Sequence, residues 1–281
     1  MKNKPLVSVN IRTFNSEKTL EKTLESVKNQ TYPNTEIIVS DGNSRDRSVE
    51  IAKAFGAKVH YVAKLGDARY QDYKKSKGKY LLSLDSDQIL DPGVIQRCVN
   101  LCENKGFDAV TISEKSIIDK GTFLQKLIGY DKWLVDQNQD ADINFGTACP
   151  RFFNKSLFDD IKWPGGLSVF DDTILYAELL KNGAKVAYLA SQSINHHEVS
   201  SWWVFAKKFH RYGKGYFGAF KEKPSVIAAH SLPRRSYFSK YALSKPHYFL
   251  GLLLLYSVKA AAASTGAFSY IVDKYIKKKA R

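Results

Sequence analysis

Cysteine is scarce in this 281-residue chain, with three in all, at positions 98, 102 and 149. An odd number without paired metal-type spacing argues against a disulfide scaffold and a structural zinc site. Cys98 and Cys102 lie one helical turn apart, where thiols pack as small apolar groups, and the expected setting is reducing and intracellular. A long apolar segment is missing near the start. Met1-Lys2-Asn3-Lys4-Pro5 leads directly into a short apolar run without the core of a secretory signal, so the body of the chain is not expected to be exported. Internal repeats are absent too. Acidic residues are scarce in one region only: from Lys207 to Arg281, Glu222 and Asp273 stand against sixteen Lys and Arg, while the rest of the chain is close to neutral. The formal net charge of +15 therefore sits in a basic, aromatic tail, residues 207–281, behind a body of residues 1–206. A hydrophobic content of 44% supports a sizeable core and excludes disorder.

Along the body, strand-length apolar runs alternate with helical spacings. Strands are expected at Leu6–Ile11, Glu36–Ser40, Lys58–Val62, in the run from Lys79, at Phe107–Ser113 and at Lys185–Leu189. Helices are expected at Glu17–Gln30, Ser48–Phe55, Ala68–Ser76, Val94–Asn104, within Gly121–Asp142, and from Asp171-Asp172 to Lys181 before Asn182-Gly183. Ile143 to Phe153, with Gly146-Thr147 and Pro150, reads as a loop followed by a strand. The alternation predicts an α/β fold with a mostly parallel sheet, whose ligands bind at the carboxyl ends of the strands. Three polar turns fall on that edge: Thr13 to Asn15, Asp41 to Ser44, and Asp85 to Asp87.

The stretch from Lys79 to Asp91 ends an apolar run in two carboxylates one residue apart, Asp85-Ser86-Asp87. Such a pair repels itself unless a cation or base sits beside it, so the run reads either as a metal site or as an acidic turn. Asp41 is a turn cap or a ligand group, and Arg69 a solvated helix residue or a cation for a ligand. Asp171-Asp172 is a favoured helix start or an acid pair with chemistry to do. His196 and His197 adjoin a strand, where only one of two neighbours can face a site.

The order of these motifs resembles an inverting family 2 glycosyltransferase of the Rossmann-like GT-A fold, over residues 6 to about 215. Thr13 to Asn15, Gln30-Thr31-Tyr32-Pro33, Asp41 to Ser44, Ala68-Arg69, Asp85 to Asp87, Gly146-Thr147 and Asp171-Asp172 stand in the family's register. Arg12 replaces a common proline or small residue, Tyr70 a common asparagine, and Asp171 the usual glutamate. The resemblance implies transfer of a sugar, as a hexosyltransferase, from a UDP- or GDP-sugar to a glycan or lipid-linked acceptor, with Mg²⁺ or Mn²⁺ neutralising the departing diphosphate.

By the same resemblance, Asp85 faces the ribose and the metal, and Asp87 ligates the metal. Thr13, Asn15, Asp41, Arg69, Ser86, Gly146 and Thr147 line the donor site. Asp172 is the general base and Asp171 positions the acceptor or the base. His197 is preferred over His196 as a further metal or phosphate ligand. Lys208, Arg211 and Tyr212 loosely resemble a motif that grips a diphosphate or acceptor, and Gly213-Lys214-Gly215 reads as a flexible or phosphate-approaching loop.

The tail holds a 25-residue apolar run, Tyr248 to Val272, long enough to cross a bilayer. Lys259 in its middle and the basic residues beyond it argue against a simple span. Helices lying in the interface, or a re-entrant hairpin broken near Ser264-Thr265-Gly266, keep the charge on one side; a buried soluble helix pair is the other reading. The expected place is the cytoplasmic face of a membrane, on anionic lipid, with no nucleic acid. The competing functions are a polyprenyl-phosphate sugar synthase and a catalytically inactive membrane- or nucleic-acid-binding protein.

Overall fold

The apolar run after Pro5 becomes the middle of a sheet in the computed structural model, which describes residues 4–63, 67–138 and 149–279. In chain order the elements are β1 (Val7–Thr13), α1 (Leu20–Lys28), β2 (Thr35–Asp41), α2 (Ser48–Ala54), β3 (Lys58–Tyr61), α3 (Ala68–Lys75), β4 (Tyr80–Asp85), β5 (Gln88–Leu90) and α4 (Val94–Lys105). There follow β6 (Ala109–Ile117), α5 (Phe123–Asn138), β7 (Phe152–Asn154), α6 (Asp171–Lys181), β8 (Val186–His197), α7 (Trp202–Glu222), α8 (Pro224–His230), α9 (Lys240–Leu243) and α10 (Pro246–Lys279). The eight strands form one sheet in the order β3-β2-β1-β4-β7-β6-β8-β5. It is parallel from β3 to β4; β7 then runs antiparallel to β4 and β6, and β5 antiparallel to β8.

Val7, Val9 and Ile11 of β1 are buried, and so are Ser8 and Asn10 between them, as a parallel strand covered on both faces requires. Leu20, Leu24 and Val27 bring α1 onto this core, and Cys98 and Cys102 pack in α4 as free thiols. Burial pushes the Cys102 thiol up to about 12, which leaves it unreactive. Strand β8 runs past the expected stop at Leu189. Its polar stretch pairs with β5, Leu90 opposite Ile194 and Gln88 opposite His196, and Ser193 donates to Asp91 through both its backbone N–H (2.8 Å) and its hydroxyl (2.9 Å).

The chain divides into two compact units that alternate in sequence. One comprises Met1–Lys115, Ala148–Gly166 and Leu175–His196; the other comprises Ser116–Thr147, Leu167–Ile174 and His197–Arg281. The boundary expected at 206/207 falls inside α7, because the tail is not an appendage. Leu124 and Leu134 of α5 share a buried cluster with Phe205, Tyr237, Leu252 and Leu255.

Within this second unit two glycine motifs act differently from the expectation. Gly213 and Gly215 lie in the middle of α7, not in a loop. A Cβ on Gly213 would come within 1.9 Å of the Ala263 carbonyl oxygen, and one on Gly266 within 1.9 Å of the His210 carbonyl oxygen. The glycines therefore mark where α7 and α10 pack backbone to backbone. Of the alternatives for the tail, the re-entrant hairpin required a break near Ser264-Thr265-Gly266; α10 instead continues through it for 34 residues, about 51 Å.

Lys259 is no obstacle in this arrangement, since Asp131 of α5 lies 3.3 Å away and also accepts from Arg234 at 3.2 Å. Burial by itself would raise the Asp131 pKa, but Arg234 and Lys259 outweigh it and hold the carboxyl below its usual range. Removing one member of such a buried group leaves charge uncompensated. Asp131→Asn is accordingly expected to destabilise the protein by about 3–5 kcal/mol, read as a lowered midpoint in urea denaturation, whereas Lys126→Gln, at an exposed position on the same helix, is expected to change it by less than about 0.5 kcal/mol.

Candidate active site

Parallel register brings the three polar turns together at the carboxyl ends of β1, β2 and β4. Thr13 lies opposite Asp41, and Arg12 opposite Asp85. The turns are bonded to one another: Asn15 donates its backbone N–H to Ser44 Oγ (2.8 Å), its Oδ1 accepts from the Arg45 N–H (2.9 Å), and Ser86 Oγ donates to Ser16 Oγ (2.7 Å). Asn15 takes a positive φ of 50°, a conformation that asparagine tolerates. Asp41 is buried and accepts from Ser44 through its backbone N–H (2.9 Å) and hydroxyl (2.5 Å), which is the turn-capping geometry. Thr13 Oγ1 is buried without a hydrogen-bond partner among the described residues, a group that a ligand or water would satisfy. Gly146 and Thr147 lie outside the described residues.

The repulsion between Asp85 and Asp87 is relieved by the chain itself. Arg12 Nη2 lies 2.6 Å from Asp85 Oδ1, and Arg151 Nη1 lies 3.3 Å from its Oδ2. Burial would raise the Asp85 pKa, but Arg12, Arg151 and Arg69 overcome it and hold the carboxyl well below the usual carboxylate range. Arg151 is itself held by Glu114 at 3.0 Å, and Arg69 donates to Ser83 Oγ at 3.0 Å. Asp85, expected to share a metal, is thus gripped by two guanidiniums.

Asp87 meets an imidazole instead. His196 Nε2 is 3.1 Å from its Oδ2, while His197, the preferred residue in the sequence, turns to Asp119 at 3.7 Å. Alternation along β8 decides between the two, because the register with β5 sets His196 opposite Gln88, one residue after Asp87. Among the described residues no three His, Cys, Asp or Glu side chains cluster as a metal cage. One carboxylate and one imidazole nonetheless fit a divalent ion that takes its remaining ligands from phosphate and water, as Mg²⁺ and Mn²⁺ do.

The acid pair of the second unit opens α6 as expected, with Asp172 Oδ1 accepting the Thr173 N–H at 2.8 Å. Phe170, just before the pair, has a φ of 62°, a strained value for a bulky residue. Its ring is held 5.6 Å from Tyr212 and 5.7 Å from His230. Tyr212 thus supports the backbone that presents the acids, while Lys208 and Arg211 are exposed on α7. His230, which also feels the Asp172 charge, is pushed towards its neutral form by burial and by Arg234.

Sequence reasoning missed Arg151, Glu114, Phe170, His230 and Asp72, and it named His196 only as the less favoured of two adjacent histidines. Of the missed residues, Asp72 carried a signal, its position one turn after Arg69. Asp72 is buried in α3, accepts from Ser40 Oγ, and lies 3.6 Å from His60 Nε2. Burial raises its pKa to about 6 in spite of Ser40, Arg12 and Arg69. The folded protein holds that proton more tightly than the unfolded chain. Its contribution to stability is therefore full below about pH 4 and is lost as pH rises through about 6. Relative to Asp72→Asn, the wild-type chain is expected to lose on the order of 3 kcal/mol across that window, measured by urea denaturation at a series of pH values.

A family model described as Glycosyl transferase family 2 matches residues 8–162, more than half of the chain. The poly(ribitol-phosphate) beta-N-acetylglucosaminyltransferase TarP of Staphylococcus aureus is 28% identical over 190 residues, 63% of this chain and 58% of that one. The match to two uncharacterized glycosyltransferases of Rickettsia spans 38% of their length. Among solved structures, S. aureus TarS 1-349 with UDP-GlcNAc is 17% identical, with a TM-score of 0.58 over 95% of this chain and 92% of that one. The mannosyltransferase PcManGT from Pyrobaculum calidifontis, with GDP-Man and Mn²⁺, is 14% identical, with a TM-score of 0.59 over 98% and 81%. The likenesses to solved structures establish the fold, and the family match carries the identity: the chain belongs to glycosyl transferase family 2, with a GT-A-like sheet.

Proposed function

We propose that this protein is an inverting glycosyltransferase that moves a hexosyl group from a UDP- or GDP-sugar to a hydroxyl of a glycan or lipid-linked acceptor. The observation that carries the reading is the hydrogen-bonded convergence of the turns at Thr13, Asp41 and Asp85, with three guanidiniums around one carboxylate. Arg12, Arg69 and Arg151 suit an anionic diphosphate, and the Asp85 carboxylate they fix is an acceptor for ribose hydroxyls. Asp87 and His196 would hold Mg²⁺ or Mn²⁺, which as a Lewis acid takes up charge on the leaving diphosphate. UDP-GlcNAc on TarS, and GDP-Man with Mn²⁺ on PcManGT, support the donor and metal classes.

Asp172 is assigned as the base. It accepts the acceptor hydroxyl's proton as that oxygen bonds to the anomeric carbon from the face opposite the leaving group. The nucleoside diphosphate departs with the electron pair of the broken bond, so the anomeric configuration inverts. Asp171 lies beside it as a like charge, and the strained Phe170 fixes the turn that presents both. The proposed place of action is the cytoplasmic face of a membrane, with an anionic lipid surface as partner.

A panel of UDP- and GDP-sugars with Mg²⁺ or Mn²⁺ and membrane-extract acceptors tests the assignment. Turnover of one donor with inverted product configuration is expected. Asp172→Asn should lower kcat by about 10²–10⁴-fold with little change in donor KM. Asp87→Asn should lower both turnover and Mn²⁺ affinity. Transfer to a polyprenyl phosphate that survives Asp172→Asn would remove Asp172 as base and favour a polyprenyl-phosphate sugar synthase. No turnover of any donor would reduce the chain to a binding protein.

A further inference from the structure

Helix α10 leaves one face without charge and open to solvent. Leu250, Leu254, Ala261, Phe268, Ile271 and Tyr275 are all exposed, Leu250 by 65% and Phe268 by 68%. With Ser257 and Ser264 between them they repeat at alternating steps of four and three residues, a single stripe about 38 Å long. The opposite side of the helix is already committed. Lys259 is bound to Asp131, Gly266 lies against the α7 backbone, and Leu252 and Leu255 are buried in the core.

Helix α7 adds a second strip beside the first. Trp203, 68% exposed, joins Trp202 and Ala206 in an apolar groove of about 360 Å³ whose other wall is Leu254 and Val258 of α10. Lys207 Nζ lies 5.0 Å from the centre of the Trp203 ring. Lys207, Arg211, Lys214 and Lys221 follow Trp203 along the exposed side of α7, and Lys214 reaches Asp273 of α10 at 3.7 Å. An apolar stripe thus lies alongside a row of cations.

We infer that this face is a membrane-docking surface that lies in the plane of an anionic phospholipid leaflet, with the α10 stripe and Trp203 among the acyl chains and the α7 cations at the phosphates. This deepens the proposed membrane partner and rests on that reading for its biological meaning. A transmembrane course for α10 is disfavoured, because α7 is locked to it at Gly213 and Gly266 and would carry its lysines into the hydrocarbon. A second copy of the chain is a poor occupant, since two tails with sixteen basic residues each would face one another.

Flotation of the full chain with vesicles tests the assignment. Vesicles of phosphatidylcholine with roughly a third phosphatidylglycerol are expected to bind it at least about tenfold more tightly than phosphatidylcholine alone, with binding weakened by salt. Brominated acyl chains should quench a fluorescence component that Trp203→Phe removes. Leu254→Ser with Phe268→Ser, both at exposed positions, should lower vesicle affinity about tenfold or more while nucleotide binding is retained. Absence of vesicle binding would overturn the inference. So would equal binding to neutral vesicles, or a concentration-dependent dimer abolished by the same two substitutions. Vesicle binding by a chain that turns over no donor would uphold the surface and remove only the catalytic assignment.

Discussion

Two carboxylates one residue apart at the end of a buried strand must be compensated, and much of the first unit is arranged around that requirement. Asp85 receives guanidiniums from the neighbouring strand end and from the residue just before β7, Arg12 at 2.6 Å and Arg151 at 3.3 Å. Asp87 receives an imidazole from β8. The contributors come from the two sides of β4 and from a strand near the sheet's far edge, so the cluster requires the mixed half of the sheet as well as the parallel half. A purely parallel sheet ending at β4 would supply Arg12 but neither Arg151 nor His196.

The second unit handles charge differently. Asp131 is buried, and the partly exposed Arg234 and Lys259 both turn their positive charge to its carboxylate. That arrangement lets a lysine sit in the middle of an apolar helix. The same helix approaches α7 closely only because Gly213 and Gly266 carry no side chain. Together these contacts give α10 one committed side and one free side, and that asymmetry suits a helix that lies on a surface better than one that crosses it.

Strain is placed beside the acid pair. Phe170 adopts a left-handed backbone conformation that costs free energy, and aromatic contacts from Tyr212 and His230 hold it there. Local propensity would not choose this geometry, so packing against α7 and α8 imposes it. The residues that present Asp171 and Asp172 are therefore governed by the tail, which explains why 167–174 groups with the tail while the later turns of α6 group with the sheet.

Most strands and helices of the body and the shared edge of the three turns were readable in the sequence because each rests on local signals: apolar period, capping and turn residues, and strand–helix alternation. β5, the polar half of β8 and the antiparallel pairing of β7 were not, because they depend on partners distant in sequence. Asp85, Asp87, Asp41 and the Asp171-Asp172 pair stood out for the same reason, being polar residues at abrupt ends of apolar runs. The choice of His196 over His197 needed the register between β5 and β8, a pairing across more than a hundred residues. Arg151, Glu114 and His230 gave no local cue, since their importance comes from neighbours distant in sequence. Glycines at 213, 215 and 266 suggested loops and a hairpin, because sequence alone cannot distinguish a glycine that bends a chain from one that admits another helix. The sequence by itself determined the family, the α/β order and a basic apolar tail, all of which depend on composition and short-range pattern. Only the tertiary structure decided which cations meet which carboxylates and which face of α10 is left open, because both depend on three-dimensional proximity that no short window of sequence contains.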